Sequence, residues 1–128
     1  MNDLILFAKA LSDPTRVRIL AVLRAGDVCV CELSDALEMS QSTLSNHLQL
    51  IRQAGLVTTR REGKWIYYGI EASQAAALSG LWEHHHDALG ADKRLQRDAQ
   101  RLAKRLQMRD NGRCIRGFSQ LERGGDTP

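Results

Sequence analysis

The residues with the most distinctive chemistry in this 128-residue sequence are its three cysteines. Cys29 and Cys31 form a Cys-x-Cys pair, and Cys114 lies far along the chain. An odd number of cysteines does not favour a disulfide framework, so we expect three free thiols in a reducing compartment. Thiolates select soft ions, and trivalent arsenic or antimony prefers three sulfurs in a pyramid. The pair therefore predicts a thiolate metal site, with Cys114 as a candidate third ligand.

The pair opens a predicted short helix over residues 30–37, and this position bears on how its thiols could act. A helix N-terminus lowers the pKa of a nearby thiol, which favours the thiolate. Residues at i and i+2 of a helix point about 200° apart, so both sulfurs reach one ion only where the first turn is not helical. We therefore expect a bound ion to distort this turn and to shift the helix that follows.

Periodicity and capping signals predict the elements that position these thiols. Asp13 or Ser12, followed by Pro14, predicts a helix start, and Ser40 predicts another N-cap. Gly63, between two stretches rich in β-branched and aromatic residues, predicts a β-hairpin. Helices are predicted over residues 2–11, 14–24, 30–37, 41–54 and 75–89, and an amphipathic stripe over 95–106. We expect one domain over residues 1–109 and a flexible, glycine-rich tail over residues 110–128.

A short helix, a tight turn, a longer helix and a hairpin, in this order, predict a winged helix-turn-helix domain that is mainly α with a small β-hairpin. The outward side of the longer helix carries hydroxyls and amides without acidic residues, and the hairpin carries three basic residues. Such groups suit base edges and phosphates, so double-stranded DNA is the predicted partner. The predicted DNA contacts are Gln41, Ser42, Thr43, Ser45, Asn46, His47, Gln49, Arg60, Arg61 and Lys64.

Composition and charge exclude several classes of protein. No apolar run approaches the ~18 residues of a membrane helix, and the N-terminus lacks a basic secretory leader, so we expect a cytoplasmic protein without membrane contact. The formal net charge is +3, and residues 93–116 hold nine Lys or Arg against two Asp. This pattern is typical of a solvated helix face or of a polyanion partner, and the basic helix could pack on a dimer or extend the DNA footprint. No oxyanion nest or cofactor loop accompanies Cys29 and His47, so we expect neither an enzyme nor an organic cofactor.

Five ordered motifs resemble the arsenical-resistance repressor (ArsR/SmtB) family. They are Leu11-Ser12-Asp13-Pro14-Thr15-Arg16, Cys29-Val30-Cys31-Glu32-Leu33, Gln41-Ser42-Thr43-Leu44-Ser45-Asn46-His47-Leu48, Ala54-Gly55-Leu56-Val57 and Arg61-Glu62-Gly63-Lys64-Trp65-Ile66-Tyr67-Tyr68. The resemblance covers about residues 4–89 and implies a homodimeric repressor whose first helix and helix 75–89 form the dimer interface. It further implies that the apo dimer binds an operator and that As(III) or Sb(III), bound at Cys-Val-Cys, releases it.

The sequence departs from the arsenic-type pattern at Ser34, where many relatives have a third cysteine. A hydroxyl is a hard ligand, so either Cys114 of the same or the partner subunit supplies the third sulfur, or two sulfurs bind a singly substituted organoarsenical. A cadmium/lead or zinc sensor of the same family and a thiol redox-switch repressor stay open as alternatives. For the histidines at 84–86 we prefer a solvated helix end to a zinc site, and for His47 a structural or phosphate-binding role to a metal role.

Overall fold

The computed structural model describes residues 1–114 and Gly117. Within these residues the order of elements is α1 (Asn2–Ala10), α2 (Pro14–Arg24), β1 (Val28–Cys29), α3 (Val30–Leu37), α4 (Gln41–Gln53), β2 (Val57–Glu62), β3 (Trp65–Ile70), a 3₁₀ turn (Ala72–Gln74), α5 (Ala75–His84), α6 (His86–Ala91) and α7 (Lys93–Leu106). None of the helices in this part of the chain has the length and apolar composition that crossing a bilayer requires.

Local capping sets the helix boundaries in the first half of the chain. The Asp13 side chain accepts hydrogen bonds from the amides of Thr15 and Arg16 at 2.8 and 3.3 Å, and α2 begins at the proline that follows Asp13. The Ser40 hydroxyl accepts from the Thr43 amide at 3.2 Å at the start of α4. These contacts satisfy amides that have no partner inside the helix. The predicted starts of both helices are therefore confirmed.

The hairpin belongs to a three-stranded antiparallel sheet with the strand order β1-β3-β2. β2 and β3 pair from Val57 opposite Ile70 to Glu62 opposite Trp65, and Gly63 begins the connecting turn with a φ of 60°. The predicted hairpin is confirmed. The short strand β1 was not predicted, because two residues are too few to show the alternation of apolar and polar side chains that marks a strand. It places Cys29 opposite Tyr67.

The predicted helix over residues 75–89 is wrong as a single element, since it breaks at His85, whose φ and ψ are −105° and 20°. Nδ1 of His86 lies 2.9 Å from the carbonyl oxygen of Glu83. In a continuous α-helix this carbonyl would instead accept a hydrogen bond from the amide of residue 87. A side chain that competes for a helix carbonyl in this way ends the regular pattern.

One apolar core joins helices from both halves of the chain. It includes Ile19, Leu20, Leu23, Leu33, Leu37, Leu44, Leu48, Ile51 and Leu102. The last of these comes from α7, which packs across α2 and α3. A second, smaller buried cluster contains the three cysteines and Tyr67, with Trp65 packed against it. The fold therefore keeps the thiols apart from the main core.

Candidate metal centre and nucleic-acid interface

The structure brings all three cysteines together within one chain. The Sγ atoms of Cys29 and Cys31 lie 2.7 Å apart, and those of Cys31 and Cys114 lie 3.3 Å apart. All three Sγ atoms fall within 4.8 Å of one another, and each residue is at most 2% exposed. Cys114 of the same subunit therefore lies close enough to the pair to be a third sulfur ligand.

Cys29 and Cys31 meet because only one of them is helical. Cys29 is the N-cap of α3, with an extended backbone (φ −82°, ψ 163°), whereas Cys31 lies in the first turn. A carboxylate oxygen of Glu32 accepts from the Cys29 amide at 3.0 Å and fixes this backbone position. The geometric requirement for a non-helical first position is thus met by the extended backbone of Cys29. The expected distortion of the first turn is therefore not needed for both sulfurs to reach one ion.

A tight turn after α7 carries Cys114 to the pair. Asp110 and Arg113 exchange backbone hydrogen bonds of 2.9 and 3.0 Å, and Asn111 and Gly112 adopt positive φ values of 53° and 73°. The Cys114 amide then donates to the hydroxyl of Tyr67 at 2.7 Å. Residues 110–114, which we expected to begin a flexible tail, are therefore packed on the domain. Residues 115–116 and 118–128 of that tail lie outside the described residues.

The environment of the cluster raises the pKa of the Cys29 thiol well above its usual range. The main cause is the hydrogen bond with Cys31, and burial adds to it by penalising the charged form. The expected lowering by the helix N-terminus is therefore wrong for Cys29, because hydrogen bonding and desolvation outweigh the helix dipole. A raised pKa favours the protonated thiol of Cys29 over its thiolate.

Arginines spaced four residues apart, in α7 and just after its end, bind acidic residues of α3 and its C-cap. Arg97 contacts Glu38 with an Nε–Oε1 distance of 2.8 Å, and Arg105 contacts Asp35 with an Nε–Oδ2 distance of 2.7 Å. At the end nearest the thiols, Arg109 binds both carboxylate oxygens of Glu32 at 2.6 and 2.7 Å.

These contacts show what the basic residues of the last helix do. Arg101 also turns inward, donating to the Asp35 carbonyl oxygen at 3.1 Å, and Arg105 is fully buried. On the α2 side, Arg18 binds both carboxylate oxygens of Asp98 at 2.8 Å. Much of the positive charge counted in the sequence therefore neutralises acidic groups of the same chain, and the basic count alone is no sign of a polyanion partner.

The predicted DNA-reading face of α4 is exposed in the structure. Its exposed members are Gln41, Ser42, Thr43, Ser45, Asn46 and Gln49. Leu44, Leu48 and Ile51 on the opposite side are buried in the core, which fixes the orientation of the helix. The Ser40 hydroxyl lies 3.0 Å from that of Thr43 and 3.1 Å from that of Ser42, so these groups are held at the helix start.

His47 differs from the other predicted contacts because its side chain is only 22% exposed. Its Nδ1 lies 3.2 Å from an Nη1 nitrogen of Arg16. Arginine can only donate, so Nδ1 accepts this bond and Nε2 carries the ring proton. The same arginine also donates to the carbonyl oxygens of Lys9 and Ala10 at 2.9 and 3.0 Å. His47 therefore ties α4 to the junction of α1 and α2, which agrees with the structural role that we preferred.

The hairpin holds its three predicted basic contacts differently. Arg61 and Lys64 are exposed. Arg60 is exposed as well, but other groups of the domain already contact it: it pairs with Glu62, its Nε lies 3.4 Å from an Asp27 carboxylate oxygen, and its guanidinium lies 4.4 Å from the Tyr67 ring centroid. We therefore expect Arg61 and Lys64 to be more available to phosphates than Arg60.

The histidines at 84–86 are exposed, and His86 pairs with Asp87 at 3.0 Å. Among the described residues, the cysteine cluster is the group of three or more metal-ligating side chains that lies close enough to share an ion. The interpretation of this segment as a solvated helix end therefore stays the preferred one.

Three residues of the site were not singled out from the sequence: Glu32, Tyr67 and Arg109. A glutamate three residues after the N-cap is a capping-box signal and could have placed Glu32 beside Cys29. The four-residue spacing of Arg97, Arg101, Arg105 and Arg109 marks one face of a helix. No local signal marks Tyr67, because its partners come from three distant parts of the chain.

A helix-turn-helix followed by an antiparallel hairpin defines a winged helix-turn-helix DNA-binding protein. The model of the family described as "Bacterial regulatory protein, arsR family" matches residues 13–59. The chain is 40% identical over 89 residues to the arsenic resistance transcriptional regulator ArsR1 of Pseudomonas putida, covering 66% of this chain and 70% of that protein. It is 46% identical over 88 residues to the arsenical resistance operon repressor of Escherichia coli, covering 65% of this chain and 75% of that protein.

Among solved structures, the chain is similar to the homodimeric winged helix-turn-helix DNA-binding domain of a possible ArsR-family regulator from Mycobacterium bovis. The TM-score is 0.61 at 34% identity, over 67% of this chain and 80% of that chain. Sequence and fold therefore agree. The chain belongs to the ArsR family of DNA-binding transcriptional regulators.

Proposed function

We propose that this protein is an arsenite- or antimonite-responsive repressor, acting as a cytoplasmic homodimer. Without inducer it binds operator DNA through α4 and the hairpin; trivalent arsenic bound to Cys29, Cys31 and Cys114 releases it. The observation that carries this proposal is the convergence of three buried thiols of one chain within 4.8 Å. The two arsenic-resistance relatives support the same choice of inducer.

The atoms around the thiols favour a soft ion. The carboxylate of Glu32 is already engaged by the Cys29 amide and by Arg109. The hydroxyl of Ser34 donates to the Met39 carbonyl oxygen at the other end of α3. The donor set that converges is thus three sulfurs, which matches the pyramidal three-sulfur coordination of trivalent arsenic or antimony, whereas a structural zinc site takes four protein ligands.

The raised pKa of the Cys29 thiol also favours arsenite over divalent ions. Arsenous acid, As(OH)₃, reacts with three thiols to form three As–S bonds and three water molecules, since each thiol proton leaves with one hydroxide. No net proton is released. A divalent cation such as Cd²⁺ must instead expel the protons to solution, which costs more where burial and hydrogen bonding raise the pKa of Cys29.

Exposed apolar residues on α1 support the homodimer. Leu4, Ile5 and Leu6 are 67%, 46% and 40% exposed, which is unusual for consecutive leucine and isoleucine side chains on a stable surface. The mycobacterial structure is homodimeric. We place the interface on α1 and α5, and sedimentation of the purified chain measures its mass in solution.

Fluorescence anisotropy tests the proposal, with a DNA duplex selected from a random pool by the metal-free protein. Arsenite should lower the affinity of wild type for this duplex by about 100-fold, a coupling of about 2.7 kcal/mol. Serine in place of Cys29, Cys31 or Cys114 should each raise the arsenite concentration needed for release at least tenfold. Binding of arsenite without any loss of DNA affinity refutes the proposal.

A thiol redox switch is the second candidate, and the 3.3 Å between the sulfurs of Cys31 and Cys114 favours it. Hydrogen peroxide would take two electrons and two protons from this pair, forming one disulfide bond and two water molecules. Release of the duplex by peroxide at concentrations where arsenite has no effect would select this function. Release by arsenite in the presence of excess reductant selects the sensor.

A further inference from the structure

Tyr67 is the residue that connects two of the three cysteines. On one side, its backbone pairs with Cys29 across β1 and β3. On the other, its hydroxyl accepts the amide of Cys114 at 2.7 Å. Its side chain is 1% exposed and packs in the same buried cluster as the sulfurs. A change in the position of either cysteine therefore displaces Tyr67, because one pairs with its backbone and the other donates to its hydroxyl.

The same tyrosine is also part of the hairpin. Its cross-strand partner in β2 is Arg60, and the Arg60 guanidinium lies 4.4 Å from the centre of the Tyr67 ring. Arg61, the next residue of β2, is exposed and is a predicted phosphate contact. A cation over an aromatic face is attracted by the ring, so ring and guanidinium move together. Tyr67 thus links the thiols to the DNA-binding hairpin within two contacts.

We propose that Tyr67 is the positioning residue that transmits occupancy of the thiol site to the hairpin. This inference rests on the proposed function and identifies the residues that couple the thiol site to the hairpin. The route runs from Cys114 and Cys29 through Tyr67 to Arg60 and then along β2. It differs from the route expected from the sequence, in which the first turn of α3 distorts and shifts α4.

The physical reason is that an ion must draw three sulfurs into one coordination sphere. Cys29 and Cys31 now lie 2.7 Å apart, so coordination changes the sulfur spacing. Cys31 is fixed in α3, whose carboxylates are bound by Arg105 of α7 and by Arg109 just after it. Cys29 and Cys114 are the ligands attached to Tyr67, so their movement is passed to β3. Packed interiors respond to such shifts by moving as units, since they hold few voids.

The decisive variant is Tyr67→Phe, which removes the hydroxyl and keeps the ring over which Arg60 lies. Its matched control is Tyr68→Phe, the neighbouring tyrosine of the same strand, which packs instead against the main core. Arsenite binding is followed by sulfur–arsenic absorption, and DNA affinity is measured by anisotropy with the selected duplex. Each variant is first saturated with arsenite, as judged by this absorption, and its DNA affinity is compared with and without the bound ion. Saturating arsenite should lower the DNA affinity of Tyr67→Phe by at most about tenfold, against about 100-fold in wild type.

The outcomes separate this inference from the proposed function. Failure of wild type to release DNA with arsenite refutes the function itself. Full release in Tyr67→Phe, equal to wild type and Tyr68→Phe, refutes Tyr67 as the transmitting residue. Loss of arsenite binding in Tyr67→Phe also overturns the route, since the hydroxyl would then serve only to place Cys114.

Hydrogen exchange gives a second measurement that needs no DNA. Arsenite should change amide exchange in β2 and β3 of wild type, because the hairpin is displaced. In Tyr67→Phe this change should fall by at least half, while exchange in α3 still responds to the bound ion. An unchanged hairpin in wild type, with altered exchange confined to α3 and α4, would establish the alternative route.

Discussion

Glu32 joins the thiol site to the last helix through a two-pronged ion pair with Arg109, at 2.6 and 2.7 Å. The carboxylate is fully buried and also accepts the amide of Cys29 at 3.0 Å. The pair raises the pKa of Arg109 and keeps it charged. Glu32 therefore holds the backbone of Cys29 and also the segment between α7 and Cys114.

Replacing this glutamate should weaken both the fold and the site. Glu32→Gln keeps an acceptor for the Cys29 amide but removes the charge that faces Arg109. We expect a loss of about 2 kcal/mol in the free energy of unfolding, measured by urea denaturation, and weaker arsenite binding. The control Lys104→Gln, which removes a charge at an exposed position of α7, should change stability by less than about 0.5 kcal/mol. Equal effects of the two substitutions would contradict the role given to Glu32.

The salt dependence of DNA binding should locate the cations that touch phosphate. Arg61→Gln and Lys64→Gln should each reduce the slope of log affinity against log salt by about 1 for every phosphate that the variant no longer neutralises, or about 2 per dimer. Arg97→Gln removes the same charge from α7, where the arginine is paired with Glu38, and should leave the slope unchanged. A reduced slope for the α7 variant would mean that this helix reaches DNA after all.

The pH dependence of binding should identify the class of ion. The pKa of Cys29 is raised, so its thiol is protonated throughout the neutral range. Arsenous acid consumes that proton in forming water, and its affinity should vary less than about twofold between about pH 6 and pH 8. Cadmium must release it, and its affinity should fall as pH falls, by up to about tenfold per unit for each proton displaced. Calorimetry in buffers of different ionisation enthalpy counts the protons; proton release on arsenite binding would argue against neutral thiols.

Moving a cysteine to the position where many relatives carry one should not replace Cys114. The Ser34 hydroxyl is directed to the Met39 carbonyl oxygen, away from the first turn of α3. The double variant Cys114→Ser/Ser34→Cys should therefore bind arsenite as weakly as Cys114→Ser alone, measured by sulfur–arsenic absorption. Recovery of wild-type affinity in the double variant would show that a thiol at residue 34 can reach the pair.

The parts of the fold that follow from short-range signals were predictable. Asp13 with Pro14 sets the start of α2, Ser40 sets that of α4, and Gly63 sets the hairpin turn. Each signal acts within a few residues, through a capping hydrogen bond or a positive φ. These three features place α4 and the hairpin, and hence the predicted DNA-binding surface.

The features that escaped prediction depend on contacts between distant residues. The inward orientation of Arg105 needs Asp35 as a partner, and a count of basic residues contains no information about such partners. The raised pKa of Cys29 depends on its burial beside Cys31, which outweighs the helix dipole. Cys114 could be named as a candidate ligand, but only folding across an 83-residue separation shows that it reaches Cys31.

That separation has a consequence for the stability of the protein. An ion shared by Cys31 and Cys114 acts as a cross-link that closes a loop spanning 83 residue positions. Long loops lose the most freedom when they are closed in the unfolded chain, by about 4 kcal/mol for a covalent link of this length. If the proposed function holds, bound arsenic would therefore make the chain harder to unfold.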